Sequence, residues 1–505
     1  MKRRVTRIYV SAAVLLLFTL PPGCSTADRY EANPVGFVRD RSNAPRLRVM
    51  AVDYISQHRS DPGAAGINPQ AAYKEIVWSA GEPPMVRAAV IDALLNDPDP
   101  DVVADAREMA RLLLPREPSI EVIAAICHNA GQNGWTEFLP AMVRSYSRHL
   151  PAIPDADRPE REGIVQLADG KSVEEVAFEV FLNPPKLAAA DGVDWTMRCR
   201  IDAWDLLARL DRDGSIRARL LAAAHPAADD SLLAAIGACR RDLRAIPISG
   251  EELTWLVSLR RPESKENAAW WSQATAAVAS TNAPPDSLRL RHAEPIRWTS
   301  QNRPERLRMT RAELLSELSA RTAGRRTNRR SLREGPTDGP RASELLERRA
   351  EELSWGDAIS ILVIDEAVRN GSTTATLFSQ ATADRADTTT EYGGLLFWRQ
   401  SGGHESATAV MYPPRPAQRQ GDERFVASDD MIAGGDLSLA HYHFHVQKES
   451  NSDYAGPSPG DLAYAAKQGR NCLVITGVGK GVMGVDWYNP DGVVIDLGEI
   501  SAPAP

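Results

Sequence analysis

The chain is poor in both cysteine and histidine. Its 505 residues include five cysteines and nine histidines. Cys127, Cys199, Cys239 and Cys472 are widely separated, no CxxC pair occurs, and none has the spacing of zinc ligands. Such scattered cysteines are typically small buried hydrophobes. There is no basic excess either, since the net charge is −8, which argues against a general nucleic-acid binder and predicts no nucleic-acid partner.

The apolar run near the N-terminus, Ile8 to Leu20, is short. A spanning helix needs about 20 apolar residues, so this run is too short to cross a bilayer comfortably. Basic residues within the first seven positions precede it, and the small residue Gly23 follows. A basic start, a short apolar core and a small residue are the parts of a secretory signal. We therefore predict a signal peptide over residues 1–23.

The residue that follows predicts an anchor. Gly23-Cys24 resembles a bacterial lipobox, in which the cysteine becomes the lipidated first residue of the mature protein. That pattern prefers leucine where this chain has Pro21, so a plain signal peptide cut nearby is the alternative. Lipidation at Cys24 is the favoured interpretation, and it predicts an exported protein held at a membrane of the cell envelope. Residues 24–45 are polar and aperiodic, which suits a tether.

The segment 46–280 is predicted to be a helical domain. Its clearest part is VRAAVIDALLNDPDPDVVADAREMARLLL, where NDPDP separates two helices and Asp101 is a plausible N-cap of the second. One apolar stripe at helical spacing consists of Val86, Ala89, Val90, Ala93 and Leu94. The pattern resembles HEAT-like repeats. Two interpretations stay open: a concave surface that binds a protein partner, or simply a helical domain.

Residues 281–350 are predicted to be a basic, polar linker and to contain a domain boundary. Large apolar residues are almost absent from RTAGRRTNRRSLREGPTDGPR. The arginines that crowd it are Arg321, Arg325, Arg326, Arg329, Arg330 and Arg333. Contact with anionic lipid or glycan is an alternative, but a charged linker is the favoured interpretation.

Residues 351–505 are predicted to form a mixed α/β domain. ISILVIDEAV has the composition of a buried strand, and further strands are predicted in GGLLFWRQ, SATAVMYP, DLSLAHYHFHV, NCLVITG and VVIDLG. STTATLFSQATADRA is predicted to form a helix. A last helix should begin at Ser458 and end at Gly469.

Two short patterns in this domain suggest other chemistry and are set aside. GPSPG at 456–460 matches the G-x-S-x-G nucleophile elbow, but no buried strand precedes it and no histidine follows His445. Gly479, Gly481 and Gly484 match G-x-G-x-x-G, yet the turn-rich VDWYNPDG follows where a helix is required. A glycine-rich hairpin is therefore expected there.

The stretch HYHFH favours metal binding. Alternate strand residues share a face, so His441, His443 and His445 point the same way. His443 and His445 would lie about 7 Å apart at Cα, from which two imidazoles can reach one ion. Asp461 at the start of the next helix is available as a third ligand. Ser458 and Asp461 also match a capping box, and the two roles can coexist, because the cap holds the carboxylate in place.

These residues resemble the JAMM (MPN-plus, also called JAB) zinc metalloproteases. That family's signature is a glutamate before a glycine-rich strand, then H-[ST]-H-P, then S-x-x-D. Here EYGGLL begins at Glu391, HFHV at His443 and SPGD at Ser458, in the expected order. The resemblance covers roughly residues 353–500. Two departures are Phe444 and Val446 in place of a small hydroxyl residue and proline, and a longer interval before Ser458.

The resemblance implies a JAMM/cytidine-deaminase-like fold and a bound Zn²⁺. It implies that His443, His445 and Asp461 hold the zinc, that Glu391 moves the proton of a water, and that Ser458 donates a hydrogen bond to the oxyanion. The implied activity is that of a peptidase or isopeptidase acting on a protein or peptide substrate. The alternative is a non-catalytic, lipid-anchored scaffold with a degenerate JAMM-like domain. His441 is expected to have a core or supporting role.

Overall fold

A computed structural model describes residues 30–59, 68–150, 153–186, 194–224, 230–284, 286–326, 345–401 and 404–503. The predicted signal peptide and the lipidation site Cys24 lie outside these residues. Within the described ranges, no helix is both long and apolar enough to cross a membrane. The described residues form two compact units, which fall within residues 1–146 with 150–169 and within residues 147–149 with 170–505.

The first unit is helical. Its helices are α1 Pro34–Arg39, α2 Pro45–His58, α3 Gln70–Trp78, α4 Pro84–Leu95, α5 Pro100–Leu113, α6 Ile120–Gln132, α7 Leu139–Ser147 and α8 Pro159–Leu167. The predicted pair of helices around NDPDP is present as α4 and α5, and Val86, Val90 and Leu94 are buried. The cap of α5 is Asp99 and not the predicted Asp101, because the Asp99 carboxylate accepts the Asp101 N–H at 2.9 Å.

The second unit begins with further helices. These are α9 Val173–Leu182, α10 Trp195–Leu210, α11 Ser215–Ala223, α12 Ser231–Leu243, α13 Gly250–Leu259, α14 Lys265–Ala279, α15 Ala293–Asn302, α16 Arg311–Thr322 and the short α17 Leu346–Arg349. Helix-rich structure therefore precedes a C-terminal mixed sheet, which confirms the predicted order of a helical part followed by an α/β part.

The predicted linker 281–350 is where the structure differs from the sequence interpretation. Its part up to residue 326 contains α15 and α16, and Ile296 and Leu314 are fully buried there. Arg325 pairs with Asp365 at 2.7 Å. A buried acidic partner lets an arginine lie inside a folded unit, which its local sequence does not reveal. Residues 327–344 lie outside the described ranges. The two units divide near residues 146–170, which lies inside the segment 46–280 that the sequence assigned to one helical domain.

The C-terminal part of the second unit contains a six-stranded mixed sheet. Its strands lie in the order β3, β2, β5, β6, β7, β8, and every neighbouring pair is antiparallel except β5 and β6. Their bounds are β2 Gly393–Ser401, β3 His404–Met411, β5 Ala440–His445, β6 Cys472–Gly479, β7 Val482–Tyr488 and β8 Val494–Ser501. Strands β1 Thr390–Glu391 and β4 Gly421–Phe425 form a separate two-stranded parallel sheet. The helices are α18 Trp355–Val368, α19 Gly371–Ala386, α20 Asp429–Gly434 and α21 Pro459–Gln468.

The prediction that ISILVIDEAV is a strand is wrong, because these residues lie in α18. The helix is buried almost all round, so its apolar run carries no amphipathic period, and such a run does not distinguish a buried strand from a buried helix. The local sequence feature that indicates a helix is the capping box at the start of α18. Ser354 accepts the Asp357 N–H, and the Asp357 carboxylate accepts the Ser354 N–H.

The other predicted elements of this domain are confirmed. α21 starts after Ser458 and ends at Gly469, which has a φ of 67° that suits glycine. The glycine-rich segment after β6 is the β6–β7 hairpin.

The two faces of strand β5 contact different helices. Tyr442 on one face donates to Gln380 of α19 at 2.6 Å, whereas His441 on the other contacts the Tyr464 hydroxyl of α21 at 2.7 Å.

Candidate metal centre

Three predicted ligands meet at the end of β5. The Nε2 atoms of His443 and His445 are 3.2 Å apart. Asp461 Oδ1 lies 3.3 Å from His443 Nε2, and Asp461 Oδ2 lies 3.8 Å from His445 Nε2. The two histidines come from one face of β5, and the carboxylate comes from the first turn of α21.

The distances from His443 Nε2 are close to those between the ligands of a tetrahedral metal ion. Ligands about 2.0–2.1 Å from a tetrahedral zinc lie roughly 3.3–3.5 Å from one another. The separations from His443 Nε2 are close to that edge length, whereas the distance from His445 Nε2 to Asp461 is longer and joins the other carboxylate oxygen, Oδ2. Glu391 forms a group with the two histidines, since one of its oxygens and a nitrogen of each histidine all lie within 4.8 Å of one another; Asp461 is not part of this group. A buried Glu/His/His group that could hold a metal ion is therefore present.

The tautomer of His445 is set by the backbone of the following loop. Its Nδ1 lies 2.8 Å from the carbonyl oxygen of Tyr454, and a carbonyl only accepts, so Nδ1 carries the hydrogen. In the neutral ring, Nε2 then has the free lone pair that a metal requires. Burial, reinforced by the neighbouring His443, lowers the pKa of His445 to about 4.

Asp461 is both a helix cap and a candidate ligand. Its Oδ2 accepts the Ser458 N–H at 2.7 Å, and its own N–H donates to the Ser458 hydroxyl. Burial alone would raise the pKa of Asp461, but His443, His445 and the Ser458 N–H together hold it well below its ordinary value. The capping box thus leaves an ionised carboxylate beside the imidazoles. Burial opposes protonation of His443, yet Asp461 raises its pKa above the usual value.

Glu391 reaches the histidines through the pairing of β2 with β5. Gly393 lies opposite His443 in the antiparallel register, and the Phe444 N–H donates to the Tyr392 carbonyl. This contact places Glu391 beside the end of β5. Burial raises the pKa of Glu391 to about 8, and the carboxylates of Asp461 and Asp384 add to the rise. A bound cation would lower it, because an opposite charge favours the carboxylate.

The glycine after Tyr392 makes room for an aromatic ring. Phe425 at the end of β4 stacks on His443, with ring centroids 4.8 Å apart and an interplanar angle of 18°. A Cβ on Gly393 would lie 2.3 Å from Phe425 Cε2 and 2.6 Å from the Tyr442 carbonyl oxygen. Only glycine therefore allows Phe425 to pack against this candidate ligand.

One supporting residue of the site, Asp384, has no signature in the sequence. Asp384 of α19 is buried, and its Oδ1 accepts the Tyr392 N–H at 2.6 Å, which anchors the residue after Glu391. Burial raises the pKa of Asp384 to about 7. Asp384 reaches Tyr392 because α19 packs against β3 of the sheet, as the hydrogen bond from Gln380 to the Ala409 carbonyl also shows. This packing joins distant parts of the chain, so the sequence alone does not identify the role of Asp384.

The two departures from the JAMM pattern have structural explanations. Phe444 is fully buried on the face opposite the histidines, where its ring contacts Tyr442, so it does not enter the site. Val446 is fully buried as well. The longer loop before Ser458 provides the Tyr454 carbonyl that holds His445. His441 lies outside the Glu/His/His group and contacts Tyr464, in line with its expected supporting role.

Comparisons with protein-family models, with curated proteins and with solved structures returned no match for this chain.

Proposed function

We propose that this protein is a zinc-dependent peptidase or isopeptidase with a JAMM-like domain, exported and held at a cell-envelope membrane by lipid on Cys24. The observation that carries the proposal is the convergence of two histidines, Asp461 and Glu391 at the end of β5. Two imidazoles and one carboxylate are the donor set of a catalytic zinc with an open position. On this proposal the helices preceding the sheet are HEAT-like and bind a protein partner.

Each residue has a defined role in the proposed reaction. His443, His445 and Asp461 would hold the zinc. When bound, zinc would lower the pKa of a water and polarise the substrate carbonyl. The Glu391 carboxylate would take up the proton from the water and deliver it to the leaving amine. Since Ser458 Oγ accepts the Asp461 N–H, its own hydroxyl hydrogen would remain available to the oxyanion.

The role of Glu391 is the point to test first, because its oxygen is also close enough to be a ligand. Zinc content and cleavage of a peptide and isopeptide library should be measured for the wild type and variants. We expect His443→Ala to lose zinc and activity together. Glu391→Gln should keep zinc, while turnover falls by about 10²–10⁴-fold. The exposed His128 of the first unit offers a control, and His128→Ala should change neither.

Two results would overturn parts of this proposal. If Glu391→Gln loses zinc as fully as His443→Ala, Glu391 is a ligand and not the base. If the wild type binds zinc stoichiometrically but cleaves nothing in the library, the domain is a non-catalytic scaffold with a structural metal.

A further inference from the structure

The side-chain amide of Gln447 contacts Glu391 directly. Gln447 follows β5 closely, and its Nε2 donates to Glu391 Oε1 at 2.9 Å. The same Nε2 donates to the Asp422 carbonyl oxygen at 2.7 Å. Glu391 and Asp422 lie on the paired strands β1 and β4, so one amide group fastens the loop after β5 to both. Both amide hydrogens have an acceptor.

Asn451 fixes the orientation of that amide. Asn451 Nδ2 donates to Gln447 Oε1 at 2.6 Å and to the His445 carbonyl oxygen at 3.3 Å. The His445 carbonyl can only accept, which identifies Nδ2 as the atom facing it. The Asp422 carbonyl identifies Nε2 of Gln447 in the same way. Asn451 is itself buried and tied to β6, because its backbone N–H donates to the Gly477 carbonyl at 2.7 Å.

We infer that Gln447 is a positioning residue for Glu391. It holds Oε1 of the carboxylate in a bond with a fixed donor, which sets the rotation of the group and leaves Oε2 to exchange a proton. This inference rests on the proposed function, because it assigns Glu391 the proton transfer. The segment from Gln447 to Tyr454, within the longer interval before Ser458, is therefore part of the catalytic arrangement. One end orients the base, and the other holds the candidate ligand His445 by its Nδ1 hydrogen.

The orientation of the carboxylate matters because proton transfer depends on placement. Removing a residue that supports a metal ligand typically costs about 10–100-fold in metal affinity or activity, and we expect a loss of similar size for a residue that positions the base. Gln447→Met keeps the length of the side chain and removes both donors. Gln447→Glu places a carboxylate against Glu391 and should be more harmful, since like charges would face each other in a half-buried site. The neighbouring Lys448 is exposed, so Lys448→Met is a matched control.

The contact can be measured without any activity. In protein labelled with ¹⁵N-glutamine, the side-chain amide signals of Gln447 are those absent from the Gln447→Met variant. We expect their hydrogen exchange to be slower than that of exposed glutamines. Glu391→Gln should shift both signals and speed their exchange, while Lys448→Met should leave them unchanged. Exchange at the rate of exposed glutamines, insensitive to Glu391→Gln, would overturn the inference.

Kinetics then separate positioning from a merely structural role. Gln447→Met should keep stoichiometric zinc and a similar KM, with kcat about 10–100-fold lower. In the Glu391→Gln background, the same change should have almost no further effect on kcat, because the group it positions is gone. Loss of zinc from Gln447→Met, or an unchanged kcat, would refute the assignment. A wild type that cleaves nothing would refute the proposed function and the positioning role together, and the amide measurement would still establish whether the contact exists.

Discussion

Gly394 lies so close to Val410 that a Cβ added to it would be 2.1 Å from the Val410 carbonyl oxygen. The atom in the way belongs to the backbone of β3, so the strands would have to move apart. β2 lies between β3 and β5 and carries the register that brings Glu391 to His443.

Gly394→Ala should therefore destabilise the second unit by about 1–3 kcal/mol or more, as overpacking in a tight core does. Urea unfolding would measure it. Gly371, the first residue of α19, has open space around its Cβ position. Gly371→Ala should be neutral or stabilising by up to about 1 kcal/mol. Equal stability of the Gly394→Ala protein and the wild type would contradict the close approach.

Ser458→Ala should affect both stability and chemistry. Loss of the cap should cost about 1 kcal/mol, and loss of the hydroxyl donor should lower kcat by roughly 10²-fold or more. Ser172 caps α9 in the same type of capping box, with Glu175 as its partner. Ser172→Ala should lose similar stability with unchanged kcat. If both variants keep full activity, Ser458 acts only as a cap.

Lowering the pH should reduce the free energy of unfolding of the second unit, because the buried His292 resists protonation in the folded state. Burial, with the nearby Arg291, lowers the pKa of His292 to about 4, and Nε2 lies 3.2 Å from Asp357 while Nδ1 accepts the Arg289 N–H. The unfolded histidine binds a proton first, so its contribution to stability is present above about pH 6.5 and is lost as the pH falls towards 4.

The expected loss is up to roughly 3 kcal/mol for this single group, from the shift of its pKa. Asp357 is buried, but Arg291 and His292 hold its pKa well below the usual value, so its own contribution to stability is lost mainly below about pH 4, outside the pH range of the measurement. Urea midpoints at pH 7 and 4.5 should differ less for His292→Asn than for the wild type. The same pH dependence of stability in both proteins would exclude His292 as a source of the acid destabilisation.

Removing the metal should lower the thermal midpoint of the wild type. A ligand at 100 times its Kd stabilises the folded state by about 2.7 kcal/mol, and a chelator would abolish that contribution. Calorimetry with and without chelator should show the shift in the wild type and in Glu391→Gln, but none in His443→Ala. Added zinc should restore it. A wild-type midpoint that chelator does not change would argue against a metal at this site.

The sequence by itself determined the features that depend on local geometry. The two-residue period of a strand places His443 and His445 on one face, and the serine-proline start with its acidic partner places Asp461 at the first turn of α21. These signals lie within a few residues of one another, so no knowledge of the rest of the chain is needed to interpret them.

Only the tertiary structure decided what comes from far along the chain. Gln447 and Glu391 are 56 residues apart, and they meet because β2 pairs with β5. ISILVIDEAV, predicted to be a strand, lies in a helix. This helix is packed on nearly all sides, so its sequence lacks the apolar period that distinguishes a helix from a strand. Arg325, in the arginine-rich segment expected to be a linker, pairs with the buried Asp365, whose position the local sequence cannot reveal.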